Sequence, residues 1–244
     1  MMGQNNIIGK RISGYLVTAF IANGSYGPIY QAERGFPVKR KVAFKLLCSI
    51  HLDSQAQRDR FLREYERAIQ LNPGNIAVYL DKGLVLSQLN RHEEALASHD
   101  YAVQLISTHH RAHHLKGQTL RNLKRYTEAL AVLEQAIQLD PTCVGAYIDK
   151  GSVLFDLKEY KEALTLFDYA LQLAPANAVA HANKGAVLGQ LNRYEESLAA
   201  YEDAIKLAPD LADAYHGKGT ALRELGQLEK AQQAYEKAYD LYQY

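Results

Sequence analysis

At 244 residues with 48% apolar side chains, the chain has enough material for one or two globular domains or for an extended repeat array. Its 28 Lys and Arg nearly cancel its 27 Asp and Glu, and a net charge of +1 provides no overall field for holding nucleic acid or an acidic membrane surface. Cys48 and Cys143 stand far apart with no C-x-x-C spacing, which excludes a disulfide framework or zinc knuckle and points to a reducing, cytoplasmic setting. No apolar run reaches the roughly 18 residues of a membrane span. The charge is unevenly spread. Residues 1–70 carry 11 Lys and Arg against 5 Asp and Glu, and the remainder carries 17 against 22, as expected of two segments of different origin.

The front of the chain does not repeat. Lys10-Arg11 ahead of residues 15–22 imitates a signal peptide, but Thr18 interrupts a short apolar core and a strand is the better reading. Residues 12–22 are rich in β-branched and aromatic side chains. A glycine turn follows at residues 23–27, then a second strand at 29–32, a polar link at 33–39 and a third strand at 41–47. This front resembles the start of a eukaryotic-type Ser/Thr protein kinase, of the sort bacteria also carry. Gly24 and Gly27 match the second and third glycines of the family's G-x-G-x-x-G loop, and Ala22 stands in place of the first. Val42-Ala43-Phe44-Lys45 matches its V-A-I-K strand, and Glu64 stands where the Lys-pairing Glu of the αC helix stands. The resemblance implies nucleotide-binding roles for Gly24, Gly27, Lys45 and Glu64.

The kinase likeness ends after Glu64. Phosphoryl transfer needs the H-R-D loop with its Asn and the D-F-G aspartate, and none of these motifs occurs in the chain. No enzyme activity is expected. No cofactor is expected either, ATP with magnesium being the one alternative that the front raises. With half of a nucleotide cleft missing, a structural cap is the simpler role for this fragment. One helix over residues 54–75, with Ser54 and Gln57 as a capping box, would serve both parts: kinase-like at its front, and half of a repeat unit at its back.

From residue 76 the sequence repeats every 34 residues. One column reads Gly83, Gly117, Gly151, Gly185, Gly219. Twelve residues on stand Ala95, Ala129, Ala163, Ser197, Ala231, and seven further Ala102, Ala136, Ala170, Ala204, Ala238. Pro141, Pro175 and Pro209 close the middle units. Small residues at fixed places let two antiparallel helices approach closely. Large ones fill the gaps: four before Gly are Tyr79, His113, Tyr147, His181, Tyr215, and sixteen after it His99, Leu133, Phe167, Tyr201, Tyr235. A unit of this kind cannot bury its apolar face alone, so units stack.

These columns resemble the tetratricopeptide repeat family. The resemblance implies a mainly α helix-turn-helix solenoid of five units (76–109, 110–143, 144–177, 178–211 and 212–244) with a three-stranded β cap at residues 1–53. Its implied function is non-catalytic: a scaffold that holds a peptide or protein segment in a concave groove. The family's geometry would line that groove with Leu80, Leu84, His114, Gln118, Arg121, Ile148, Ser152, Phe155, Ala186, Thr220 and Arg223. Phe155 and Arg121 would anchor a ligand on a surface apolar in the middle and weakly basic to both sides.

Other features invite weighing. The residue before each Gly is Lys: Lys82, Lys116, Lys150, Lys184, Lys218. Such a column either attracts an acidic partner or puts five ammonium groups in water, the latter being the ordinary state of Lys. His109/His113 and His110/His114 have the i,i+4 spacing of metal ligands, but His113 occupies a packing column and no carboxylate cluster stands nearby. Gly217-Lys218-Gly219-Thr220 fails as a phosphate loop because the repeat phase accounts for both glycines. Tyr235, Tyr239, Leu241, Tyr242 and Tyr244 leave the last helix with an apolar face and no polar capping helix, which suggests self-association or a further C-terminal segment.

Overall fold

The structure is a computed structural model. It describes the backbone of residues 11–12, 15–24, 27–34, 40–45 and 55–243, with side chains at 58, 59 and 62–243. The chain divides into two compact units, one up to Phe61 and one from Leu62.

In the first unit the backbone forms β1 (Arg11–Ile12), β2 (Tyr15–Gly24), β3 (Gly27–Arg34) and β4 (Arg40–Lys45), paired antiparallel in the order β1-β2-β3-β4. Four described strands stand where three are expected. Ile12 pairs back on Tyr15, so the apolar run at 12–22 is split between two strands. Gly24 stands opposite Gly27 in the β2–β3 register. Ser54 of the expected capping box lies outside the described residues, as does Cys48.

The described helices number eleven. After α1 (Gln55–Leu71) they come in pairs: α2 (Ile76–Gln88) with α3 (His92–Leu105), α4 (His110–Asn122) with α5 (Tyr126–Leu139), and α6 (Val144–Asp156) with α7 (Tyr160–Leu173). Then come α8 (Ala178–Gln190) with α9 (Tyr194–Leu207), and α10 (Ala212–Glu224) with α11 (Leu228–Tyr242). Each pair packs on the next, so the core is a chain of local clusters. Tyr79, Leu80, Ala102, Ala112 and Leu115 form one, and Leu120, Leu133, Ala136, Ala146 and Val153 form another. The back of α1 belongs to the same array: Leu62 is buried with Leu86 and Ala95, and Ile69 packs against Tyr79 and Leu80.

The small-residue columns sit where two helices nearly touch. A methyl added at Gly151 would lie 2.9 Å from the Phe167 ring, so the large side chain sixteen residues on fills the space that Gly leaves. The alanines at the +12 and +19 columns are almost fully buried. Ser197 joins them because its hydroxyl donates to the Gly185 carbonyl at 2.7 Å, so its burial leaves no polar group unpaired.

The turns obey the same period. Asn90, Lys124, Lys158, Asn192 and Gly226 all have φ between 58° and 74°. In every unit the next amide reaches back to the helix, as Arg91 N does to Leu86 O at 2.9 Å and Glu159 N to Leu154 O at 2.8 Å. These bonds satisfy carbonyls that a helix end would otherwise leave open, and they set the angle at which the second helix departs.

Candidate functional site

The first helices of successive pairs stand side by side and are tied by polar side chains. His114 on α4 reaches Asp149 on α6 at 2.7 Å, and Gln118 donates to the same carboxylate at 3.4 Å. One turn on, Arg121 meets Asp156 at 2.7 Å. Asn183 on α8 donates to Ser152 on α6 at 3.4 Å, and Ser152 donates to the Ile148 carbonyl. These bonds lock the wall and consume its charges. The expected weakly basic surface is therefore corrected: His114, Arg121 and Arg223 each have an acidic partner, Arg223 pairing with Glu224 at 2.8 Å.

Burial sorts the expected groove residues further. Leu80 is only 2% exposed, and Ile148 and Ser152 are buried as well, so these three hold helices together and do not face a ligand. Leu84, Gln118, Phe155, Ala186 and Thr220 are partly exposed and Arg223 is exposed. Phe155 leans on Tyr160 with ring centres 5.5 Å apart. Phe155, Ala186 and Thr220 come together in a groove of about 410 Å³. Its other walls are Gln190, Asn192, Tyr194, Tyr201, His216 and Glu224.

Tyr201 is the feature of this groove that sequence reasoning placed only in the core. It is 8% exposed and lies between two helices that yield to it. A methyl at Gly185 would meet its ring at 3.0 Å, and one at Gly217 would overlap it. Gly217 is outside the repeat's glycine column, and that extra glycine is the signal that a ring from the preceding unit crosses here. Burial, with a contribution from Asp213, pushes the Tyr201 phenol up to about 12, so it stays a neutral hydrogen-bonding group at physiological pH.

The nucleotide candidates are divided between the two units. Gly24 and Gly27 flank the β2–β3 turn and Lys45 pairs with Ile29 in the β3–β4 register, while Glu64 is an exposed residue of α1 in the second unit.

The histidine run disperses. His109 accepts the Ala112 amide, His110 faces Asp140 at 3.3 Å, His113 bonds the Ser107 carbonyl at 2.7 Å and His114 meets Asp149. Among the described residues no group of three or more His, Cys, Asp or Glu could hold a metal ion.

The Lys column is half-buried, and each of its ammonium groups has an acidic partner within the chain. Lys116 meets Asp100 at 2.7 Å, Lys150 meets Glu134 at 2.6 Å, Lys184 meets Asp168 at 2.7 Å and Lys218 meets Glu202 at 2.9 Å. Lys82 begins the series at 3.7 Å from Glu66 on α1. In each case the acid stands sixteen residues earlier, on the second helix of the preceding pair. The ladder thus marks every seam, and it assigns α1 the role of a second helix.

Family models described as tetratricopeptide repeat match residues 64–97, 114–178 and 176–243. The chain is a tetratricopeptide repeat protein. The crystal structure of YrrB, a TPR protein with an unusual peptide-binding site, shares 26% identity over 72% of this chain and 91% of its own, with a TM-score of 0.52. MamA 41-end from Desulfovibrio magneticus RS-1 shares 23% over 69% of this chain and 95% of its own, with a TM-score of 0.58. TTC0263, a TPR protein in Thermus thermophilus, shares 20% over 68% and 91%, with a TM-score of 0.63. The last two bear on the fold alone. No curated protein matches the chain in sequence. Among the described residues of this tetratricopeptide array no helix is long and apolar enough to cross a membrane.

Proposed function

We propose that this tetratricopeptide array is a non-catalytic interaction scaffold, and that the groove between α6, α8 and α10 holds an extended segment of a protein partner. The observation that carries this reading is the groove itself. At about 410 Å³ it falls in the range of ligand sites. Gln190, Asn192, Thr220 and the Tyr201 hydroxyl offer donors and acceptors to a peptide backbone, and Phe155 and Tyr194 offer aromatic surface to its side chains. The binding site named for YrrB supports the same direction. Arg121, already paired with Asp156, is not an anchor in this reading, and Phe155 is kept as one.

The test is selection of peptides on the immobilised chain from a displayed random library, followed by titration of the selected sequences. Ala186→Arg, which fills the groove from a partly exposed position, is expected to weaken them by about tenfold or more, as is loss of an anchor by Phe155→Ala. Selected peptides that bind both variants as tightly as the parent chain would place the site elsewhere.

A second reading attaches to the first unit. Two glycines facing each other across the β2–β3 turn, with Lys45 on the adjoining strand, are what a nucleotide-phosphate hairpin would require. Calorimetric titration with ATP and magnesium separates the two. Saturable heat that Lys45→Ala removes supports a nucleotide site, and no heat at millimolar ATP rejects it.

A further inference from the structure

The polar wall between α4 and α6 shows what the wall between α8 and α10 lacks. At the first of these, residues 35 apart meet: His114 reaches Asp149, and Arg121 spreads Nε and Nη2 over both oxygens of Asp156 at 2.7 and 3.4 Å. Two units on, 68 residues later, His114, Gln118 and Arg121 give way to Ala182, Ala186 and Gly189, while the acid of Asp156 is kept as Glu224. The register thus keeps the carboxylate and drops the cation that crossed to it. Gly189 and Glu224 both line the groove of about 410 Å³. Outside its own helix, a methyl at Gly189 would meet nothing nearer than the Ser197 hydroxyl at 3.5 Å, so the space above it is open. Among the described residues that line this groove Glu224 is the one carboxylate, and none is a lysine or arginine. Arg223, its neighbour in the chain, sends both of its bonds to Oε1, at 3.2 and 2.8 Å. A carboxylate accepts on both oxygens, and an exposed pair of this kind is weak. Gln190 and Glu224 end α8 and α10, so the negative ends of two helix dipoles add to the charge.

Resting on the reading of this groove as a peptide site, we infer that the partner segment it holds carries an arginine, whose guanidinium takes the open place above Gly189 and pairs with Glu224. The chain's own Arg121 demonstrates that a guanidinium fits between two first helices at this height. Its planar fork matches a carboxylate better than an ammonium group does. Phe155 and Tyr194 in the same lining offer ring surface to a planar cation. An acidic residue at that place in the segment would meet Glu224 as a like charge, so the groove selects its partner by charge as well as by shape.

The experiment uses the full 244-residue chain and two displayed random-peptide libraries, one complete and one made without Arg and Lys. Groove binders are recognised by their loss on Phe155→Ala. The complete library is expected to yield groove binders that hold an arginine. Replacing that arginine by Gln, or introducing Glu224→Gln in the chain, weakens them about fivefold or more, and making both changes weakens them little further. Gly189→Arg rebuilds an internal pair on the pattern of Arg121 and Asp156. It is expected to remove the arginine binders while melting at least as high as the parent, since glycine inside a helix costs stability. Groove binders drawn equally well from the library without Arg and Lys, or arginine peptides indifferent to Glu224→Gln, overturn the inference and leave the peptide site standing. Libraries that yield no binder sensitive to Phe155→Ala overturn both.

Discussion

His99 fills a column that the four other units give to Leu133, Phe167, Tyr201 and Tyr235. It is 1% exposed, and its Nδ1 lies 3.0 Å from the Thr119 hydroxyl, which already donates to the Leu115 carbonyl. Burial lowers the pKa of His99 from 6.5 to about 4. Because the unfolded chain takes up a proton that the folded chain refuses, stability is fully present above about pH 6.5 and drains away as the pH falls toward 4, by about 3 kcal/mol at the limit. His99→Leu, which copies Leu133 of the next unit, is expected to flatten that slope. Urea midpoints at pH 7.5 and pH 5 measure it, and a parent and variant with equal pH slopes would refute the assignment.

At the scale of the helix, the seam between α5 and α6 sets Lys150 against Glu134, with Ala146 and Val153 of α6 buried beside it. The Glu134–Lys150 contact is 2.6 Å long, and the ammonium group beside Glu134 holds that carboxyl below its usual range. Both side chains keep part of their surface in water, so the pair contributes about 0.5 kcal/mol. A double-mutant cycle with Glu134→Gln and Lys150→Met is expected to give a coupling of that size at low salt, shrinking as salt rises. A zero coupling at low salt would leave the ladder a marker of register without energetic weight. The apolar contacts, with alanines buried on both sides of the seam, carry the larger share.

For the molecule as a whole, the period was legible because the physics of close approach permits few residue types. Gly117 must be small where Leu133 lies over it, and Ala129 and Ala136 must be small for the same reason. The acid ladder was legible too, at a spacing of minus sixteen, but a search within one unit passes over it because the pair belongs to two. The groove was the least legible part. Leu80, Ile148 and Ser152 lie on the expected face of their helices, yet neighbouring first helices crowd together there and bury them. Which positions survive that crowding depends on the rotation between units, and no single unit encodes it. Tyr201 shows the converse: only the extra Gly217, a unit away, betrays that its ring reaches the surface of the groove.

Because each seam repeats the last one, the array is countable. Removing 34 residues in phase, say 144–177, would bring Lys184 over Glu134 and Ala180 against Ala136, joining ends that already match. Removing 33 or 35 would rotate every downstream lysine off its acid. Descent can therefore lengthen or shorten this protein in whole units at little structural risk, and the number of units is a trait that selection can change without redesigning any one of them.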